Sequence, residues 1–305
     1  MKWQKLGRVF KPKSVSNWMH SHACLPIPCH IKGDLYRIYF STRSNDGKSY
    51  GNYLDIDLNK PTEVIKFAKK PVIEPGEYGF FDEHGAQPCS FVEHNGKKYL
   101  YYTGWSLGKV IPFLTFLGLA TTDAINKDFT KVSKSPILDR THKEPLSVGW
   151  VSVKYHDGKF KMWYESNLSW YKEGDNWECI FNIKYAESLD GVNWDRKDIV
   201  CIEAIKEGTV VSHPTVIIND GQFKMWYCFK VDNKYRIGYA ESIDGISWEK
   251  KDDIVGIEPG GEDWESDEIA YPNVFEHNND LYMLYNGNQY GKTGFGIAKL
   301  KKNDD

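Results

Sequence analysis

Apolar and polar positions alternate with a period of two through much of this chain. Phe160, Met162 and Tyr164 set against Lys159 and Lys161 are typical, and they predict a strand with one buried face. No stretch keeps a 3.6-residue period, so little helix is expected. The pattern is easiest to read over residues 212–251. Pro214–Ile218 is a short apolar strand, and Asn219, Asp220 and Gly221 make a hairpin turn, because these residues tolerate positive φ. Gln222–Phe229 is a second, aromatic strand and Tyr235–Ser242 a third. Asp244 and Gly245 turn the chain, and Trp248 opens a fourth strand reaching Val255.

The same unit recurs, and repeats of this kind govern the fold. Its first strand begins at Leu25, Gln87, Trp150, Pro214 and Tyr271, giving five copies spaced roughly 50–65 residues apart, near the range of propeller blades. The second strands end at Phe40, Tyr102, Tyr164, Phe229 and Tyr285. The fifth copy stops after its third strand, while Trp3–Phe10 resembles the fourth strands 194–200 and 248–255. The expectation is an all-β, single-domain, five-bladed β-propeller of four-stranded antiparallel blades. The blades run over residues 21–80, 81–140, 147–205, 211–258 and 267–302, and residues 2–11 close the ring in blade five, which removes an open sheet edge.

Composition narrows the function classes. The 305 residues are 41% hydrophobic, enough for a sizeable core, and the net charge of −3 with no basic block argues against a nucleic-acid partner. The longest apolar run, near 110–120, is broken by Pro112 and Gly118, so no membrane span is expected. The N-terminus lacks the apolar core of a signal peptide, and the six cysteines show no CxxC. Both point to a cytoplasmic protein with buried free thiols. His20, His22 and Cys24 alternate and would share a strand face as metal ligands. No second ligand element accompanies them, and neither a metal nor a cofactor is assigned.

In a propeller, the start of each first strand and the end of each second strand share one face of the disc. That mouth collects His22, Asp82, Glu83, Gln87, Trp150, His213, Asp267, Glu268 and Tyr271 from the first set. From the second it collects Arg43, Trp105, Glu165, Asn167, Lys230, Asn286 and Asn288. Carboxylates, imidazoles, a guanidinium, amides and indoles are the mixture that binds hydroxyls and stacks on a sugar face, so a carbohydrate partner is expected.

The five-unit pattern, with YAESLDGVNW and YAESIDGISW after the third strands, resembles the five-bladed propeller glycosidases: the arabinanase/xylosidase, invertase/levanase and mannoside-phosphorylase relatives. The resemblance implies a carbohydrate bound at the channel mouth and paired carboxylates for acid/base or nucleophilic work. It also admits an ion in the axial channel, where such relatives sometimes hold a cation. Those families commonly place an acid just before the first-strand proline. Here Leu25, Gln87, His213 and Tyr271 stand there, so the carboxylates are sought nearby. SLDGVNW and SIDGISW are also similar to the Asp-box of sialidases, one residue short, and are read as structural turns.

The leading expectation is a glycoside hydrolase with Glu165 as general acid, its pKa raised by neighbouring rings, and one of Asp82, Glu83, Asp267 or Glu268 as base or nucleophile. The plain alternative for each is a solvated strand-end or loop acid. Arg43 reads as a binder of a carboxylate or phosphate, or as a surface arginine. His213 reads as a proton donor, a phosphate ligand or a buried structural histidine. Trp105 and Trp150 are candidates for stacking or for the core. A phosphorylase or transferase using Arg43, His213 and Lys230, and a propeller that binds a glycan or protein without catalysis, are the rival readings.

Overall fold

The computed structural model of the protein describes residues 1–204 and 210–302. The end drawn for the third unit, residue 205, lies outside them. The strands in chain order are β1 (Trp3–Phe10), β2 (Ser21–Lys32), β3 (Leu35–Arg43), β4 (Ser49–Asp57), β5 (Val64–Phe67), β6 (Gly85–His94), β7 (Lys97–Leu107), β8 (Phe113–Thr122), β9 (Thr130–Lys131) and β10 (Val148–His156). They continue as β11 (Lys159–Glu173), β12 (Asn176–Ser188), β13 (Asp195–Ile202), β14 (Val211–Asn219), β15 (Gln222–Val231), β16 (Lys234–Ser242), β17 (Glu249–Lys250), β18 (Ala270–His277), β19 (Asp280–Asn286) and β20 (Phe295–Leu300). Helix among the described residues is confined to single turns at Asp252–Ile254, Asp263–Glu265 and Asn288–Gly291.

The architecture is nearly all-β, built of four-stranded antiparallel sheets in a propeller-like arrangement. Three sheets stand alone, with strand orders β10-β11-β12-β13, β14-β15-β16-β17 and β1-β20-β19-β18. The first two units, β2 to β5 and β6 to β9, are joined by one parallel bridge between Ser49 and Gly85. The N-terminal strand β1 pairs antiparallel with β20, from Trp3 opposite Leu300 to Phe10 opposite Phe295.

The core lies between sheets rather than inside any one of them. Trp226 and Tyr239 of the fourth unit pack with Met283 and Tyr285 of the fifth, with Trp3 on the same cluster. Tyr36, Ile38 and Phe40 of the first unit pack with Leu284, Phe295 and Ile297 of the last. First strands meet in succession: β2 touches β6, β6 touches β10, β10 touches β14, β14 touches β18, and β18 touches β2. A period-2 strand presents one apolar face, which needs a neighbouring sheet to cover it.

Two local expectations change. The fourth strand from Trp248 is cut to Glu249–Lys250, because the Asp252 carboxylate accepts the Tyr239 N–H at 2.9 Å and the Tyr227 hydroxyl at 2.6 Å, ending the ladder in a turn. The second strand of the third unit does not stop at Tyr164. It runs on to Glu173, turns at Gly174, and returns in register with Trp170 opposite Cys179 and Lys172 opposite Trp177.

The SLDG and SIDG segments are turns, as expected. Asp244 Oδ1 accepts the N–H groups of Ile246 and Ser247 at 2.8 Å each, and Trp248 Nε1 donates to the Gly245 carbonyl at 3.1 Å. Those backbone donors lower the Asp244 carboxyl to about 2.

Candidate active site

The strand ends are stitched by a repeated latch. Leu25, Trp150, His213 and Tyr271 all sit at positive φ in the bulged start of a first strand. For side chains of this size such a conformation costs about 1–3 kcal/mol each, and it persists only where the surroundings hold it. They do. The Leu25 N–H donates to Asn286 Oδ1 at 2.9 Å and the Trp150 N–H to Thr103 Oγ1 at 2.8 Å. The His213 N–H donates to Glu165 Oε1 at 2.8 Å and the Tyr271 N–H to Cys228 Sγ at 2.9 Å. Each acceptor directly follows a tyrosine in the second strand of the neighbouring unit: Tyr285-Asn286, Tyr102-Thr103, Tyr164-Glu165, Tyr227-Cys228. The latch re-aims the side chains of Leu25, Trp150, His213 and Tyr271 into the wall of a single cavity of about 260 Å³.

Arg43, Gln87, Trp105, Trp150, Glu165, His213, Lys230 and Tyr271 line this cavity, as the sequence predicted for one mouth. Glu165 is 1% exposed. Its Oε1 also lies 3.1 Å from His213 Nδ1, while its Oε2 has no hydrogen-bond partner among the described residues. Five other lining residues carry buried polar atoms without partners among the described residues: Arg43 Nε, Trp105 Nε1, Thr115 Oγ1, Trp150 Nε1 and Trp170 Nε1. The His213 ring packs between Trp150 and Tyr271, with centroids 4.8 and 4.3 Å away.

The structure does not bring the other predicted acids to this wall. Asp82 is buried and accepts from Tyr102 Oη at 3.1 Å and Lys131 Nζ at 2.6 Å. Tyr164 to Glu144 and Tyr227 to Asp252 repeat that tyrosine–acid contact in later units, so Asp82 belongs to a repeat that braces the sheets. Glu83 accepts the Gly79 N–H at 2.6 Å. Asp267 pairs with Lys234. Both Glu268 oxygens are taken by backbone, Oε2 by the Tyr235 N–H at 3.2 Å and Oε1 by the Gln289 N–H at 2.7 Å. Alternation read from sequence carries no information about these loop bonds.

Four predicted binding residues are also elsewhere. Asn286 is a latch acceptor and donates to the Ala23 and Gly294 carbonyls at 2.6 and 2.9 Å. Asn288 Oδ1 accepts the Asp267 and Glu268 N–H groups, both at 3.0 Å. Asn167 is buried without side-chain partners among the described residues, and it is not part of the wall. His22 sits at φ 58°, which breaks the alternation that would have aligned it with His20 and Cys24. Burial first, then the charges of Arg43 and Lys292, push its imidazole down to about 4. Cys24 instead donates to the Tyr290 carbonyl at 2.6 Å. Among the described residues no three His, Cys, Asp or Glu side chains gather as metal ligands.

The second carboxylate on the wall is Glu178, which the sequence reading missed. It comes from the extended β11–β12 hairpin together with Trp170, Trp177, Cys179 and Phe181. Its Oε2 lies 3.0 Å from Lys230 Nζ. Burial works against the Lys230 ammonium, but Tyr290 and Glu178 outweigh it and hold its pKa above the ordinary value. The available signal was length: the segment from Tyr164 to Ile183 is far longer than a hairpin needs, with Gly174 at its middle.

Solved structures share this fold. A complex of BT0996 with RGII matches with a TM-score of 0.76 and 18% identity over 98% of this chain and 92% of its own. An endo-arabinase from Bacteroides thetaiotaomicron matches with a TM-score of 0.64 and 16% identity over 98% and 99%. The fold is that of the glycoside-hydrolase-like propellers. At the sequence level, the proteins named "Uncharacterized protein MT1551" and "Uncharacterized protein Rv1502" of two Mycobacterium tuberculosis strains are each 37% identical to it over 302 residues, 99% of this chain and all of theirs. The chain belongs to the family of these mycobacterial proteins. No protein-family model matches it.

Proposed function

We propose that the protein is a glycoside hydrolase working at the mouth of a single-domain, five-bladed, closed propeller, with Glu165 and Glu178 as its two carboxylates. The cyclic succession of first-strand contacts, together with β1 in the last sheet, supports five blades and closure. Free thiols at all six cysteines suit the cytoplasm.

One observation carries the catalytic reading. At the latch position Thr103, Cys228 and Asn286 do with neutral groups what Glu165 does with a carboxylate. A latch needs one acceptor, so a second buried oxygen without a partner is a burden on stability, unless a ligand uses it. Indoles of Trp105, Trp150 and Trp170 on the same wall suit a sugar ring, and two glutamates supply the acid and the base or nucleophile that glycoside cleavage requires. A screen of chromogenic glycosides with wild type, Glu165→Gln and Glu178→Gln tests this. Hydrolysis by wild type that both variants lose supports it, and equal rates in all three remove these carboxylates from the mechanism.

Phosphorolysis or transfer is the second reading, favoured by Arg43, which lines the cavity and has no carboxylate partner among the described residues. Dependence of glycoside cleavage on added phosphate separates it from hydrolysis.

A further inference from the structure

Below the mouth, a second cavity of about 80 Å³ lies on the propeller axis, lined from all five first strands: Pro28 of β2, Ser90 of β6, Ser152 and Lys154 of β10, Thr215 of β14 and Asn273 of β18. Its chemistry differs from the mouth. Among the described residues no carboxylate lines it, and Lys154 is the only charged side chain there. Lys154 has no hydrogen-bond or ion-pair partner among the described residues, although most other cations near the core are paired: Arg37 with Asp55, Lys131 with Asp82, Lys184 with Asp198.

Three of the neutral side chains around Lys154, those of Ser90, Ser152 and Asn273, have protons to donate. Ser90 Oγ accepts the Val153 N–H and Ser152 Oγ the Val216 N–H, both at 3.0 Å, which occupies lone pairs and leaves each hydroxyl proton free. Thr215 spends its proton on the Pro272 carbonyl at 2.8 Å. The Asn273 amide can turn its two N–H donors, rather than its carbonyl oxygen, towards an anion. A hard cation needs several oxygen ligands, usually carboxylates, and would be repelled by the ammonium. Donors around one uncompensated positive charge select the opposite sign.

We propose that the axial channel is an anion site, in which Lys154 with the hydroxyls of Ser90 and Ser152 holds a compact inorganic anion of the chloride or phosphate class. The anion supplies the counter-charge the fold omits and ties the second and third units together at the axis. Burial alone lowers the Lys154 amine to about 8, as a lysine without a counter-charge should show. This site is separate from the mouth, and it does not depend on the glycosidase reading.

Two measurements decide it. In crystals soaked in sodium bromide, an anomalous peak within hydrogen-bond reach of Lys154 Nζ is expected; a channel without bromide, and without phosphate in a parallel soak, overturns the proposal. In thermal unfolding at constant ionic strength, replacing gluconate by chloride or by phosphate raises the wild-type Tm by a similar step for each tenfold rise above the dissociation constant. Comparing the two titrations shows which anion is preferred. Lys154→Met removes the response, and an equal response in that variant overturns the proposal. If Lys154→Met fails to fold, the bromide soak of the wild-type protein decides alone.

Discussion

His213 and Glu165 hold each other in place. The His213 backbone N–H donates to Glu165 Oε1 at 2.8 Å, and the same oxygen lies 3.1 Å from His213 Nδ1. Glu165 lies within the second strand of the third unit, and His213 lies at the bulged start of the first strand of the fourth. The contact is therefore at once a joint between sheets and the floor of the cavity. That double role lets substitutions separate structure from chemistry.

Glu165→Gln keeps an acceptor for the His213 N–H, so its Tm is expected near wild type, while kcat/KM falls by roughly 10²–10⁴. Glu165→Ala also leaves a buried N–H unpaired and should lower stability by a further increment of about 1–3 kcal/mol. Parallel kinetics and thermal unfolding check both. A Gln variant as unstable as the Ala variant, with unchanged specific activity, would falsify the catalytic assignment.

Glu178→Gln should reduce activity strongly, and Glu268→Gln should not, because both Glu268 oxygens are committed to backbone N–H groups away from the wall. Steady-state rates on one chromogenic glycoside compare them directly. Loss of activity in Glu268→Gln alone would move the second carboxylate to the loop.

Trp150→Ala and Trp170→Ala should raise KM more than they lower kcat. Each loses an aromatic contact worth about 0.5–1.5 kcal/mol, or roughly 2–10-fold in binding. Trp170 stands on the extended hairpin, its ring 5.1 Å from Phe113. A change in kcat alone at either position argues against sugar stacking.

The pH dependence of stability should show two separate windows. His22 is lowered from 6.5 to about 4, so as the pH falls below 6.5 the unfolded chain takes up the proton first. Its contribution is complete above pH 6.5 and is lost towards pH 4. Asp244 is lowered from 3.8 to about 2, so its contribution is complete above pH 3.8 and is lost towards pH 2. Urea unfolding across pH 2–8 should flatten in the upper window for His22→Gln and in the lower one for Asp244→Asn. Unchanged profiles would contradict these environments.

The repeat was legible in the sequence because strand alternation and turn chemistry are local. Phe160, Met162 and Tyr164 declare a buried face by period alone, and Asp244-Gly245 declares a turn by its own bonding. The same reading placed Arg43, Glu165, His213 and Tyr271 at one mouth, since antiparallel pairing fixes which strand ends share a side. Tertiary structure alone decided which acids reach the cavity. Asp82, Glu83, Asp267 and Glu268 stand close to it in sequence, yet each is held by a partner distant in the chain or a loop amide. Glu178 arrives only because the β11–β12 hairpin runs past its expected end and leans over the next unit, where Lys230 meets it. A period of two says which way a side chain points from its strand. What it meets there depends on the neighbouring sheet, which local pattern does not encode.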